Sequence, residues 1–358
     1  MWERLNNRLP VLPFTLVLFL FVGGCRAEQP AADEPSTQPT VTETVTPTVV
    51  TPAKETQRST KFALENTPQG VRISSDGRGS ILRSTTPLVS ANQQNAPVVK
   101  IPLNTLEVTD NQVAHNATYY YLQVEGDRVL NRQTITTPNP PLPVLQNPSI
   151  LIDKIHYYLE VREGERAVKR YPVVLGGKPK NRKLHSDNAS TPEGFYRIYN
   201  LQPNATYHKA FDIDYPTAID RFRYDFARAH MNIGSPDIGG EIQIHGYGIP
   251  YNWTWGCIGL RNEDMDEMFS HPEIRAGTKV EIVGPTLTRE DLTSIRLKRT
   301  LHAIKKIQNK LKQLGFDPGA ADGSIGPSTQ TALGLFQLQR GLPVTCQLDA
   351  RTVESLDL

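Results

Sequence analysis

Ile244-His245-Gly246-Tyr247-Gly248 and, a few residues on, Asn252-Trp253-Thr254-Trp255-Gly256-Cys257-Ile258-Gly259-Leu260 set an imidazole and a thiol twelve positions apart in an apolar, glycine-marked frame. The residues before the His, Glu241-Ile242-Gln243-Ile244, alternate polar and apolar, which puts His245 at the C-terminal end of a strand. A thiol beside a glycine, with an imidazole at a nearby strand end, is the minimum equipment for cysteine acyl transfer. The thiolate attacks a carbonyl, the imidazole takes the thiol proton, and backbone N–H groups hold the developing oxyanion. A lone Cys is more often a small buried hydrophobe, and a lone His a satisfied core residue. Their pairing in this frame favours the chemical reading.

Outward from that frame the chain reads as short strands. Ile150 to Asp153 and Tyr157 to Val161 are strand-like, Arg162 to Glu165 is a turn, and Ala167 to Leu175 is a further strand ended by Gly176-Gly177. Thr191-Pro192-Glu193-Gly194 turns into Phe195-Tyr196-Arg197-Ile198, and Gly277 to Val283 supplies a closing strand. Asn262 reads as the N-cap of a short helix with Met265, Met268 and Phe269 on one face. The expected fold is a mainly β catalytic domain, sandwich- or barrel-like with short helices, followed by a small all-α three-helix domain.

The frame resembles the signature of the L,D-transpeptidases of bacterial cell-wall synthesis (the YkuD-like family), a His-Gly followed by Ser/Thr-x-Gly-Cys-Ile/Val. The likeness extends to Tyr171-Pro172-Val173-Val174-Leu175-Gly176, Ser190 to Tyr196, Tyr207-His208 and Asp214-Tyr215-Pro216, covering roughly residues 148–285. Most of the family has Arg two residues after the Cys; here Gly259 stands there and Arg261 follows. In that respect the chain is similar to a subgroup reading Trp-Thr-x-Gly-Cys-Ile-Ala-Leu. The resemblance implies Cys257 as nucleophile and His245 as base, oriented by a backbone carbonyl, with the N–H of Cys257 and one from Gly256 or Trp255 as oxyanion hole. Gly246, Tyr247, Trp253, Thr254, His208 and Arg261 are the candidates for substrate contact. Thr254 is equally suited to a structural hydrogen bond, and the aromatic residues to a core. His208, Asp212 and His245 also invite a zinc reading, which leaves Cys257 unexplained; no metal and no cofactor is expected.

The ends of the chain carry different signals. Arg4 and Arg8 precede an apolar run from Val11 to Val22, and Val22-Gly23-Gly24-Cys25 resembles a bacterial lipobox, implying a signal peptide over 1–24 and lipidation of Cys25. Residues 25–68 are rich in Thr and Pro and poor in large apolar residues, which predicts a disordered tether. Residues 69–147 read as a poorly defined spacer or small β-appendage, with Pro138 to Pro148 as a linker. After Pro285, Ile304, Ile307, Leu311 and Leu314 recur at helical spacing up to Gly315, Pro327 starts a second helix, and Asp349 caps a third. Residues 299–358 thereby resemble the small peptidoglycan-binding domain, in which the position of Cys346 is commonly Gly.

A formal net charge of +2 over 358 residues, with no basic stretch interleaved with aromatics, gives no reason to expect nucleic acid. Three cysteines, one read as lipidated and one as nucleophile, do not make a disulfide framework. The resemblance implies an exported, membrane-anchored lipoprotein facing the periplasm or cell wall, with peptidoglycan stem peptides and glycan as partners. Transfer of the acyl group to an amine gives a 3→3 cross-link or attachment of a wall protein, and transfer to water an L,D-carboxypeptidase or amidase. The rival class is a non-catalytic peptidoglycan-binding lipoprotein.

Overall fold

A computed structural model of the chain describes residues 62–90, 96–234, 237–291, 295 and 301–357. The signal peptide, Cys25 and residues 25–61 of the expected tether lie outside the described residues. Ordered structure starts earlier than the tether's expected end at residue 68. Phe62 is buried and strand β1 (Ala63–Thr67) pairs antiparallel with β2 (Gly70–Ser74).

The stretch expected to be a spacer is a β unit of two sheets. Strands β1, β2 and β5 (Glu107–Asp110) form one sheet; β4 (Val99–Pro102), β3 (Ser80–Ser84), β6 (Thr118–Glu125) and β7 (Arg128–Thr136) form the other, in that order. Its core of Val71, Ile73, Ile81, Tyr119 and Tyr121 continues into Leu151, Tyr158 and Val283, so the unit lies on the back of the following domain. Arg83 fastens the two together. It is buried, donates to the Asp110 carboxylate at 2.9 Å, and reaches the His156 carbonyl at 2.9 Å. The expected linker is also docked, with Leu142 and Leu145 buried in the main core.

The main sheet has eight strands in the order β10 (Arg166–Pro172), β9 (Tyr158–Glu163), β8 (Pro148–Asp153), β15 (Lys279–Val283), β11 (Gly194–Ala205), β12 (His208–Ile213), β13 (Gln243–His245) and β14 (Ile258–Gly259). Strand β8 is apolar on both sides for a physical reason. Ile150 and Ile152 face the main core, whereas Leu151 faces the core of the β unit behind it. Beyond β10, Val174 pairs with Gly259 of the far strand by two backbone bonds of 3.0 and 2.9 Å, closing the sheet toward a barrel.

Helix α1 (Ala218–His230) has no counterpart in the expected short helices. Its signal was the Thr217–Asp220 capping box, which the structure forms. Helix α2 (Asn262–Phe269) buries Met265 and Met268 as its spacing requires, but its N-cap is Arg261 rather than Asn262. Helices α3 (Leu301–Gln313), α4 (Pro327–Gln339) and α5 (Ala350–Ser355) build the C-terminal core around Ile307, Leu311, Leu333 and Phe336. Asp349 caps α5 as expected, accepting from the Thr352 N–H at 2.8 Å.

The helical unit is seated on α1. The side chain of Phe226 lies where a Cβ on Gly334 of α4 would be 2.7 Å away, Arg223 Nε donates to the Thr345 carbonyl, and Arg351 Nη2 donates to the Thr286 carbonyl at 2.7 Å. Cys346 sits in this seam with φ +54, the left-handed conformation that suits Gly. It is a free, buried thiol, and burial pushes its pKa up to about 11. A cleft of about 1610 Å³ lies between the main sheet and the helical unit, lined in part by Phe195, Phe222, Ile304 and Leu348; neither His245 nor Cys257 lines it.

Candidate active site

Strands β13 and β14 set the His245 segment beside the one that follows Cys257. These short strands are parallel, with Ile244 opposite Ile258 and His245 opposite Gly259. Cys257 stands two residues before Gly259, on the side of the strand that His245 shares. Gly259, opposite His245, has no side chain, and its Cβ position is filled by the Gly248 backbone and Val174. Gly259 also has no alternative: a Cβ there would be 2.5 Å from Gly248 Cα and 3.0 Å from Val174 Cγ2. The arginine that most of the resembled family carries at this position has no room in this chain.

His245 is buried, and its Nδ1–H donates to the Gly246 carbonyl at 2.6 Å. A carbonyl only accepts, so the proton sits on Nδ1 and Nε2 carries the lone pair; Nε2 has no hydrogen-bond partner among the described residues. Burial lowers the imidazole pKa from the ordinary 6.5 to about 4, with the Gly246 carbonyl opposing that shift. The ring is flanked by Tyr207 and Trp253, with centroids at 5.0 and 5.9 Å. A Cβ on Gly246 would be 2.5 Å from Asn262 Oδ1, 2.9 Å from His208 Cβ and 3.1 Å from the Tyr207 carbonyl, so the backbone is closely packed there.

The segment carrying Cys257 is zipped to the chain beyond β10. Asn252 Oδ1 accepts from the Leu175 N–H at 2.8 Å, and the Thr254 carbonyl accepts from the Gly177 N–H at 3.0 Å. Gly256 has φ +134, and a Cβ on it would approach the Ser190 carbonyl to 2.7 Å, so the turn before the thiol tolerates only glycine. The Thr254 hydroxyl accepts from the Gly256 N–H at 3.2 Å and donates to the Cys257 carbonyl at 2.7 Å. Thr254 is therefore a structural clamp, and the Gly256 N–H is engaged within the turn. Cys257 is buried, with Sγ 3.6 Å from the Glu241 carbonyl.

The other expected contact residues divide. Tyr247 and Trp255 are 61% and 48% exposed, and Tyr251 joins them at 46%, so three exposed rings belong to the stretch between His245 and Cys257. Trp253 is half-buried, its indole N–H donating to the Gly248 carbonyl at 3.1 Å. His208 Nε2 instead pairs with Asp266 on α2 at 2.7 Å, beside Lys209. Arg261 is bound to Asp264 by two 2.7 Å contacts and to the Asn116 carbonyl at 2.7 Å, which ties the β unit to α2. Asp212 receives amides from Asn200, Gln202 and Gln243, so two of the three residues weighed for zinc, His208 and Asp212, have other partners. Asn262 was read as a cap, yet its carboxamide oxygen accepts from the Tyr247 N–H at 2.9 Å and supports the loop after His245.

Residues 147–282 match the model of the YkuD family, the L,D-transpeptidase catalytic domain. The chain carries an L,D-transpeptidase catalytic domain. Residues 301–356, behind it, match a model described as "Putative peptidoglycan binding domain". Among curated proteins, the chain is similar to "Putative L,D-transpeptidase YafK" of Escherichia coli K12, 27% identical over 114 residues, which cover 31% of this chain and 40% of the relative. It is also similar to "Probable L,D-transpeptidase YcfS" of the same strain, 25% identical over 210 residues, covering 53% of this chain and 62% of the relative. The matched parts thus span less than two thirds of either relative. Solved structures that resemble it include an L,D-transpeptidase from Xylanimonas cellulosilytica, with 18% identity, a TM-score of 0.28, and coverage of 41% of this chain and 64% of that one. Mycobacterium tuberculosis L,D-transpeptidase 1 shows 14% identity, a TM-score of 0.25, and coverage of 57% and 87%.

Proposed function

We propose that the transpeptidase domain performs cysteine acyl transfer on peptidoglycan stem peptides, with Cys257 as nucleophile and His245 as base. The observation that carries this reading is the imidazole itself. It is held by Nδ1 on the Gly246 carbonyl, is kept neutral by burial, and lies opposite Gly259 on the strand paired with the one that Cys257 leads into. Nε2 takes the Cys257 proton as sulfur attacks the carbonyl of the L-centre of the stem's diamino acid. The tetrahedral oxyanion is held at the Cys257 N–H, next to the Gly256 turn. On its collapse the C–N bond breaks, the terminal D-amino acid leaves with the proton from Nε2, and a thioester remains on Cys257. An amine from a second stem attacks the thioester through the same imidazole, giving a 3→3 cross-link and restoring the thiol. Water in place of the amine gives an L,D-carboxypeptidase, and a wall-anchored protein as leaving group gives an amidase. The helical unit, with its likeness to a peptidoglycan-binding domain, presents the same polymer. The N-terminal Cys25 lipid anchor would hold the protein to a membrane after export.

Purified protein incubated with disaccharide tetrapeptide and followed by mass spectrometry tests this. Loss of one D-Ala with dimer formation is the expected result, and loss without dimers assigns hydrolysis. Cys257→Ala should abolish both. Retained turnover in that variant, or no reaction of the wild type with sacculi to which it binds, overturns the assignment, the latter in favour of a non-catalytic wall-binding lipoprotein.

A further inference from the structure

Two lysines are buried near the site, and their surroundings differ. The ammonium of Lys154 has a full set of acceptors: the Asn181 and Thr191 carbonyls at 2.7 and 2.8 Å and the Glu193 carboxylate at 2.8 Å. It is a satisfied structural cation. Lys183 is only 4% exposed, yet among the described residues its ammonium makes one hydrogen bond, to the Trp255 carbonyl at 3.0 Å. A buried ammonium with two of its three donors unmatched among the described residues lowers stability. Its aliphatic stem already fills the space under the turn, with Cδ 3.5 Å from where a Gly256 Cβ would be and Cε 3.5 Å from the same point on Gly239.

The bond that Lys183 makes is at the head of a relay. Lys183 donates to the carbonyl of the Trp255–Gly256 peptide, the N–H of that peptide donates to Thr254 Oγ1, and the Thr254 hydroxyl donates to the Cys257 carbonyl. Each bond polarises the next, so a positive charge at one end is felt at the thiol-bearing residue. Lys183 is also the one cation hydrogen-bonded to residues 252–258 among the described residues. The position two beyond the thiol is Gly259, Arg261 is held by Asp264, and His245 is kept neutral. Among the described residues, Lys183 is thus the fixed positive charge bonded to the turn where negative charge develops during attack by Cys257.

We propose that Lys183 is a positioning residue for acyl transfer, its buried ammonium locking the Trp255–Gly256 turn and supplying the charge that opposes the anionic transition state at Cys257. The inference rests on the reading of Cys257 as nucleophile. The groups facing the ammonium are Asp187 on its own loop and Asp237 on the segment before β13, both favouring the charged form. Burial outweighs them and brings the Lys183 pKa down from 10.5 to about 8. Lys183 is charged below that value and loses its charge above it, so its help fades as the solution becomes alkaline.

The test compares wild type, Lys183→Met, Lys183→Arg and Cys257→Ala over pH 5–10. It reads turnover of disaccharide tetrapeptide and iodoacetamide labelling of Cys257 by peptide mass spectrometry, with thermal unfolding alongside. Wild-type turnover should fall with a midpoint near pH 8. Lys183→Met should be about tenfold or more slower at pH 7, should lack that alkaline fall, and should melt no lower than wild type, because a chain of similar shape replaces an under-satisfied charge. Lys183→Arg should keep its rate at pH 9. Wild-type rate and pH profile in Lys183→Met overturn the proposal, as does a lower melting temperature with the alkaline fall intact, which is the mark of a merely structural lysine. Turnover surviving in Cys257→Ala overturns the acyl-transfer reading itself and this inference with it.

Discussion

Protonating His245 should cost the fold a measurable part of its stability, in a pH window fixed by its two pKa values. In the unfolded chain the imidazole titrates near 6.5, and in the folded protein burial holds it to about 4. Above pH 6.5 the residue is neutral in both states and contributes nothing to the pH dependence. Between 6.5 and 4 the unfolded chain binds a proton that the folded chain refuses, so stability falls as pH falls. Below about 4 the loss is complete. The gap of about 2.5 pKa units corresponds to about 3 kcal/mol. Other groups titrate in the same range, so the quantity to measure is a difference between two proteins. His245→Asn keeps a donor for the Gly246 carbonyl and removes the titration. Urea unfolding at pH 7 and pH 4 should show wild type losing about 3 kcal/mol more than the variant. NMR titration of the His245 ring should give a midpoint near 4, and the acid limb of turnover should follow the same group. Equal losses in the two proteins, or a ring that titrates near 6.5, would refute the claim that a buried, neutral imidazole serves as the base.

Gly256→Ala should abolish turnover and destabilise the domain by about 1–3 kcal/mol, since its φ of +134 and the Ser190 carbonyl at 2.7 Å leave no place for a methyl; a crystal structure or activity indistinguishable from wild type would contradict this. Gly334→Val should loosen the seat of the helical unit on α1, because its Cβ would meet Phe226 at 2.7 Å; limited proteolysis between residues 285 and 300 should quicken. Arg261→Ala should leave KM for a small muropeptide within about twofold and lower the melting temperature, as its bonds run to Asp264 and Asn116; a large rise in KM with no change in melting would restore it as a substrate contact. Arg83→Met should cost about 3–5 kcal/mol by leaving Asp110 buried without its cation, seen as early unfolding of the β unit.

His245, Cys257 and the glycines around them were legible in the chain itself, because local rules specify them. A strand's alternation sets where the imidazole falls, a turn with φ +134 demands Gly256, and helical spacing marks the cores of α2, α3 and α4. What each polar side chain does was not legible, since that depends on partners far away in sequence. Arg261 follows the thiol by four residues, yet its guanidinium is held by a carbonyl at Asn116. Nothing beside Lys183 marks it; it matters only because the loop before β11 folds under the turn at Trp255. The β unit over residues 63–136 read weakly for a similar reason. Its core is shared with Leu151, Tyr158 and Val283, so the apolar pattern that stabilises it is written partly in another domain. Short-range sterics and periodicity thus placed His245 and Cys257, and long-range burial decided which of the surrounding charges are held by other partners.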